Sequence, residues 1–129
     1  MQVQELLRAR ATHTAIEEEK AALKGADFLP EDAVANCSTY RAAVWLAWEN
    51  RRHRGMTKSR LAEVCDLYAP HVTHFVNPLA QDGKGKRRAD LPAEKISAFE
   101  AAVGNRAVSQ WLSRRARLTI MEEMIAARS

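Results

Sequence analysis

No stretch of this sequence stays apolar for the roughly 20 residues a membrane-crossing helix needs, so a helical membrane protein is not expected. The opening MQVQELLRAR does not read as a signal peptide either. Glycine and proline are scarce, 5 and 4 among 129 residues, which disfavours a turn-rich all-β fold and allows long helices. Only two cysteines are present. Cys37 and Cys65 sit in helical, partly apolar settings and read as reduced thiols of a cytosolic protein, although the sequence leaves a disulfide open. Catalytic groupings are missing as well. The four histidines are scattered, no acidic pair stands beside one, and Gly83-Lys84-Gly85-Lys86 is too short and lacks the preceding strand of a nucleotide loop. Cys65, His71 and His74 fall close together, but a structural zinc site wants four ligands and no fourth is in view. The expectation is a non-enzymatic, cytoplasmic protein without metal or cofactor.

What is present is positive charge in one place. Residues 1–50 carry 5 Lys/Arg and 8 Asp/Glu, a net −3, whereas residues 51–129 carry 15 and 8, a net +7, which together return the overall +4. A basic half is suited to a polyanion partner, although basicity alone is also met by a solvated surface.

The basic half contains Met56 to Asn77, MTKSRLAEVCDLYAPHVTHFVN, which reads as two short helices around a tight turn. Thr57 is a good N-cap, because its hydroxyl can accept one of the backbone N–H groups orphaned at a helix start. Leu61, Ala62 and Cys65 share one face, and the small Ala62 permits a close helix crossing. The chain breaks over Asp66 to Ala69. Pro70 then suits the first turn of a second helix, where its missing N–H is not needed. Val72, Phe75 and Val76 give that helix an inward face, leaving His71, Thr73, His74 and Asn77 outward.

Gly55-Met56-Thr57, Leu61-Ala62, Val72 and Phe75 give this stretch its likeness: it resembles the Cro/CI-like (XRE-type) helix-turn-helix proteins of phages and bacteria, over roughly Tyr40 to Asn105. That family usually has glycine where Asp66 stands, and Asp tolerates left-handed backbone better than most residues. The resemblance implies that the second helix enters a DNA major groove. His71, Thr73, His74 and Asn77 are then the candidates for reading bases: Thr can donate, accept or contact a thymine methyl, Asn can pair with adenine, and His can bond purine acceptors. Thr57, Lys58 and Ser59, at the start of the first helix, are placed to hold phosphate. No Arg or Gln lies on the second helix, so phosphate contacts are expected to supply much of the affinity.

The rest of the chain is read around this motif. Residues 2–24 form a good helix sequence ending at Gly25, with a thin stripe of Leu6, Ala9, Ile16 and Leu23. Its Glu17-Glu18-Glu19 run reads as a solvated face, with mimicry of DNA by an acidic helix as the sharper alternative. Phe28 and Leu29 are expected to anchor a connector. A helix follows from Pro30 or Ser38 to about Arg54, with Tyr40, Val44 and Ala47 in line, Trp45 and Trp48 widening that face, and Arg51-Arg52-His53-Arg54 at its basic end. After Asn77-Pro78 comes a glycine-bearing loop whose Lys84, Lys86, Arg87 and Arg88 are candidate phosphate ligands; it is expected to be mobile until phosphate orders it. Asp90 is expected to cap a helix with Ile96, Phe99 and Val103 inward and Gly104 at its end. Asn105 caps the last helix, 106 to about 127, along which Trp111, Leu118 and Ile125 recur every seven residues. Its stripe is long for a helix lying on a small domain, and Trp111, Leu118, Met121 and Ile125 are the expected dimer seam. The turn Gly104-Asn105-Arg106 followed by Trp111-Leu112 also resembles the tail of phage CII-type regulators.

These readings combine into an all-α fold: a helix-turn-helix bundle of four to five helices, with an extra N-terminal helix and a long C-terminal one. Its parts are an N-terminal helix and connector (1–29), a DNA-binding domain (30–105) and a C-terminal helix (106–129). The expected function is a transcriptional regulator, in the first instance a repressor although activation is equally compatible with the sequence, of phage or mobile-element origin, binding a pseudo-palindromic operator in double-stranded DNA as a homodimer. Two alternatives stand beside it. One is a protein-interaction module, such as an antirepressor or an inhibitor of a host nucleic-acid machine, with a protein partner on the N-terminal helix. The other is non-specific binding through charge alone.

Overall fold

The structure, a computed structural model, describes residues 26–128. The helix expected over residues 2–24, with its acidic run and any partner it binds, lies outside them. The described chain is all-α, with six α-helices and one 3-10 turn: α1 Glu31–Ala35, α2 Tyr40–Glu49, α3 Lys58–Cys65, α4 Ala69–Phe75, the turn Ala93–Lys95, α5 Ile96–Val103 and α6 Ala107–Arg128. None of these helices is long and apolar enough to cross a membrane.

Local chemistry explains most of the boundaries. The Thr57 hydroxyl accepts the Arg60 N–H at 3.1 Å and starts α3. Asp66 ends it in left-handed conformation, φ 53°, as its place in the turn requires. The adjoining Leu67 N–H returns to the Ala62 carbonyl at 2.8 Å. Pro70 stands in the first turn of α4. Gly104, at φ 79°, closes α5; a Cβ there would lie 2.9 Å from the Cβ of Arg52, so both the backbone and the space call for glycine.

The segment after Pro30 differs from a helix running on from Pro30 but agrees closely with the later expected start, Ser38. It is two helices, with Thr39 rather than Ser38 capping the second through a 3.1 Å bond from the Ala42 N–H. That helix stops at Glu49, not Arg54. Beyond it the Arg52 N–H bonds the Val103 carbonyl at 2.7 Å, and the Arg51 guanidinium caps the Trp48 carbonyl while stacking on the Trp48 ring at 4.1 Å. The basic end therefore ties α2 to its neighbours.

The core joins Val44, Ala47 and Trp48 of α2 to Leu61, Ala62 and Cys65 of α3, Val72 and Phe75 of α4, Phe99 and Val103 of α5, and Val108 of α6. Both cysteines are free thiols, which closes the disulfide left open above. Trp45 and Phe28 are exposed, unlike their expected inward roles. Phe28 instead lies under the Arg106 guanidinium at 5.7 Å, whereas Leu29 packs against the core as expected, and the connector's backbone adds further ties. The Asp27 N–H donates to Gly104 O (2.9 Å), its carbonyl accepts from Arg106 (3.0 Å), and Gln110 bonds both backbone groups of Leu29.

Two buried polar side chains close the fold at the base of α6. Asn105 Oδ1 accepts the Ala107 N–H at 3.2 Å while its amide donates to the Ala47 carbonyl at 2.9 Å. Glu100 is also buried, and its carboxylate accepts the Ser109 N–H (2.9 Å) and hydroxyl. The N-terminal N–H groups of α6 thereby gain acceptors and a negative charge of the sign the helix dipole favours.

Tyr40 donates its hydroxyl to the Leu91 carbonyl at 2.9 Å. Burial, with the charges of Asp90 and Glu100, pushes its pKa up to about 12 from 10. Because the folded value lies above the unfolded one, this contribution is complete below pH 10 and is lost as pH rises through 12. Denaturant midpoints should therefore fall across that alkaline window, and Tyr40→Phe should remove the tyrosine's share of the slope while lowering stability at neutral pH by about 1 kcal/mol. An identical slope in the variant would refute this.

Candidate nucleic-acid interface

The second of the two short helices, α4, presents its outer face beside the loop 79–90. Val72 and Phe75 are buried, and the remaining positions face outward to different degrees. His71 and Thr73 are exposed. Tyr68, just before the helix, is exposed too and meets the His71 ring edge-on at 4.8 Å, so it belongs to this surface. Nothing in the apolar pattern marks it, because it sits in the turn.

His74 and Asn77 are half-buried and already engaged. The Arg88 guanidinium lies 3.1 Å from His74 Nδ1; a guanidinium only donates, so Nδ1 is the acceptor there. Asn77 Oδ1 accepts the Leu79 N–H at 2.9 Å and shapes the helix exit. Any bidentate pairing of Asn77 with a base has to share that oxygen.

The basic loop is held by its own hydrogen bonds, contrary to the expectation that phosphate would be needed to order it. Asp82 accepts the N–H groups of Lys84 (2.8 Å) and Lys86 (3.0 Å) through one carboxylate oxygen. Those bonds hold its carboxyl below the usual carboxylate range. Backbone bonds from Asp82 to Lys86 (2.8 Å), Gly85 to Asp82 (3.0 Å) and Arg88 to Ala80 (2.8 Å) complete a small hairpin, with Gly85 at φ 79° in its turn. Lys84, Lys86 and Arg87 are exposed at its tip and side, whereas Arg88 is half-buried against His74. Arg88 Nε is buried without an acceptor among the described residues.

The residue that joins helix and hairpin is Arg41 of α2, which neither spacing nor motif singles out. It is buried, and its guanidinium donates to the carbonyls of His74, Asn77 (2.9 Å), Arg88 (3.0 Å) and Ala89 (2.8 Å) and to the Asp90 carboxylate (2.8 Å). Asp90 is therefore an ion-pair partner of Arg41, and of Arg87 at 3.4 Å, rather than the helix cap expected of it. The helix after it opens with a 3-10 turn behind Pro92.

The result is an open depression of about 260 Å³ lined by His71, His74, Asp82, Lys86, Arg87 and Arg88. It brings part of the expected base-reading set together with part of the phosphate-binding set. Thr57, Lys58 and Ser59 are exposed at the start of α3 and do not line it; the Thr57 hydroxyl is engaged as the cap. Cys65 is buried, with Sγ 3.4 Å from the Ala98 carbonyl, and so stands apart from the two histidines. No group of three or more His, Cys, Asp or Glu suited to a metal occurs among the described residues.

The expected seam on α6 divides. Trp111 belongs to its own chain: its Nε1–H donates to the Cys37 carbonyl at 2.8 Å and its ring lies 6.4 Å from that of Tyr40. Leu118, Met121 and Ile125 are exposed at 42%, 56% and 63%.

Comparison with protein-family models, with curated proteins and with solved structures finds no match for this chain.

Proposed function

We propose that this protein is a cytoplasmic, sequence-specific DNA-binding regulator of the XRE-type helix-turn-helix class, in which α4 lies in the major groove. One observation carries the reading. A short helix reached through a left-handed turn exposes His71 and Thr73 beside a preformed hairpin bearing Lys84, Lys86 and Arg87. In this reading Thr73 and His71 contact base edges, Tyr68 contributes an apolar contact, and the hairpin cations with Lys58 and Ser59 hold phosphates. Arg88 and His74 act as a pair, reaching phosphate together. A homodimer would set two α4 helices in successive major grooves about 34 Å apart. The activity is binding, with repression following from exclusion of polymerase.

Selection from a random duplex library at near-physiological salt tests this, because non-specific affinity is weak there. A two-fold symmetric motif is expected. Thr73→Ala should then cut the preference for that motif over random DNA about tenfold, the scale of one lost base contact. Recovery of no motif by the folded protein sinks the proposal.

A second reading has an observation of its own. His74 is engaged within the chain, and Asn77 is engaged too and lies past the end of α4, so few side chains on the helix remain to specify sequence. That favours a protein-interaction module, which would keep its partner after Thr73→Ala and show no preferred DNA.

A further inference from the structure

We propose that the free half of α6 pairs antiparallel with the same segment of a second copy of this chain, with Leu118 of one copy packed against Met121 of the other. The pairing deepens the dimeric reading above, but it rests on α6 alone.

Arg114, Leu118, Met121 and Ile125 follow Trp111 at the alternating spacings of three and four residues that put them in one line along the helix. The base of the same helix, Ala107, Val108 and Trp111, is occupied by the chain's own domain. Beyond it the line continues as an exposed stripe. Arg114, Arg117, Leu118 and Met121 border a hollow on this stretch, the kind of gap between side chains that receives a knob from a facing helix.

Charge and shape select the occupant and its direction. The first half of the free stretch is basic, with Arg114, Arg115 and Arg117, and the second half carries Glu122 and Glu123. Turning a second copy end for end sets basic half against acidic half twice, once on each side of the axis. Leu118 then faces the partner's Met121, Arg114 faces the partner's Ile125, and Arg115 approaches the partner's Glu122 along the flank. A parallel pair would instead oppose Arg114 to Arg114 within the seam. It would also crowd both domains onto one end, since each domain covers the seam side of its own helix at Trp111. The antiparallel arrangement puts the domains at opposite ends of an overlap over residues 114–125, about 18 Å long at 1.5 Å per residue. So short a seam belongs to the smaller interfaces, below about 1,200 Å², which fits a reversible dimer of micromolar affinity.

Sedimentation of the full chain without DNA, from about 1 to about 200 µM, tests the pairing across the micromolar range. The wild type should pass from monomer to dimer. Leu118→Glu should be monomeric throughout, with helicity and thermal midpoint equal to those of the wild type at the lowest concentration, where both are monomers, because Leu118 is already exposed in the single chain. Arg115→Glu and Glu122→Arg should each weaken the dimer about tenfold, and their combination should restore it. These two residues stand seven apart on one helix, too far to meet within a chain, so restoration reports contact between copies. Arg115 also stacks over Trp111 at 5.7 Å, a contact absent from the Arg115→Glu variant and the double variant alike, so its loss cannot account for restoration. A monomeric wild type at every concentration overturns the proposal. So does restoration by Arg117→Glu with Glu122→Arg instead, which would mark a parallel pair. A monomer whose Leu118→Glu variant melts earlier overturns it too, because the stripe then packs within its own chain. None of these outcomes touches the DNA reading, which the library selection judges separately.

Discussion

Arg41→Met should lower stability by about 3 kcal/mol, the range found when one partner of a buried pair is removed. Only part of that is the ion pair, since the Asp90 side chain is 40% exposed and water screens it. The larger part is the four backbone carbonyls, of His74, Asn77, Arg88 and Ala89, that lose their shared donor. For a domain of this size the thermal midpoint should fall by roughly 10–15 °C. Methionine keeps the apolar stem and removes the fork, so packing loss is kept small. Arg41→Lys should recover less than half of the loss, because a point charge on a flexible stem cannot serve carbonyls on two separate segments at once. At temperatures where the variant is still folded, DNA affinity should also fall, since α4 and the hairpin are no longer held in register. A melting point within a few degrees of wild type would show that Arg41 does not organise this surface.

Changing Lys84, Lys86 and Arg87 together to Gln should do the reverse, leaving the fold almost untouched and weakening DNA binding about 100-fold at low salt. All three side chains are exposed, and the bonds that shape the hairpin come from the backbone N–H groups of Lys84 and Lys86, which the substitutions keep. Among the described residues the one ion pair lost is Arg87 with Asp90 at 3.4 Å, an exposed contact of little weight. The decisive readout is the salt dependence: the slope of log K against log salt should become shallower by about 3 if the three cations each neutralise a phosphate. An unchanged slope would remove the hairpin from the interface.

How far such features can be read in advance depends on how local they are. The Thr57 cap, the left-handed Asp66, Pro70 in the first turn of α4, the Gly104 terminus and the Asn105 cap each depend on backbone groups within a few residues. The sequence therefore carries them openly. The same holds for the inward faces of α3, α4 and α5, which follow from helical spacing, and so for the all-α class. The start of α2 is written less openly, because Ser38 and Thr39 are equally good caps by type and only the folded chain shows Thr39 in the role.

The surface beside α4 was decided elsewhere. Arg41 is separated by 33 to 49 positions from the groups it bonds, and Glu100 reaches forward nine positions to a helix it does not belong to. Read in sequence, Arg41 is an ordinary charged residue at the start of a helix, and Glu100 an ordinary interruption of an apolar face. Burial changes their chemistry: a polar group removed from water must find partners wherever the folded chain supplies them. The same rule engages His74 with Arg88 and Asp90 with Arg41, leaving His71 and Thr73 as the exposed members of the expected base-reading set, of which Asn77 lies past the end of α4. The sequence by itself determined the all-α class, the caps of α3 and α6, the Gly104 stop and the inward faces of α3 to α5, because those obey neighbours along the chain. Which polar side chains remain available to a ligand was settled only by the tertiary structure, because that depends on distant backbone carbonyls brought together in a medium without water.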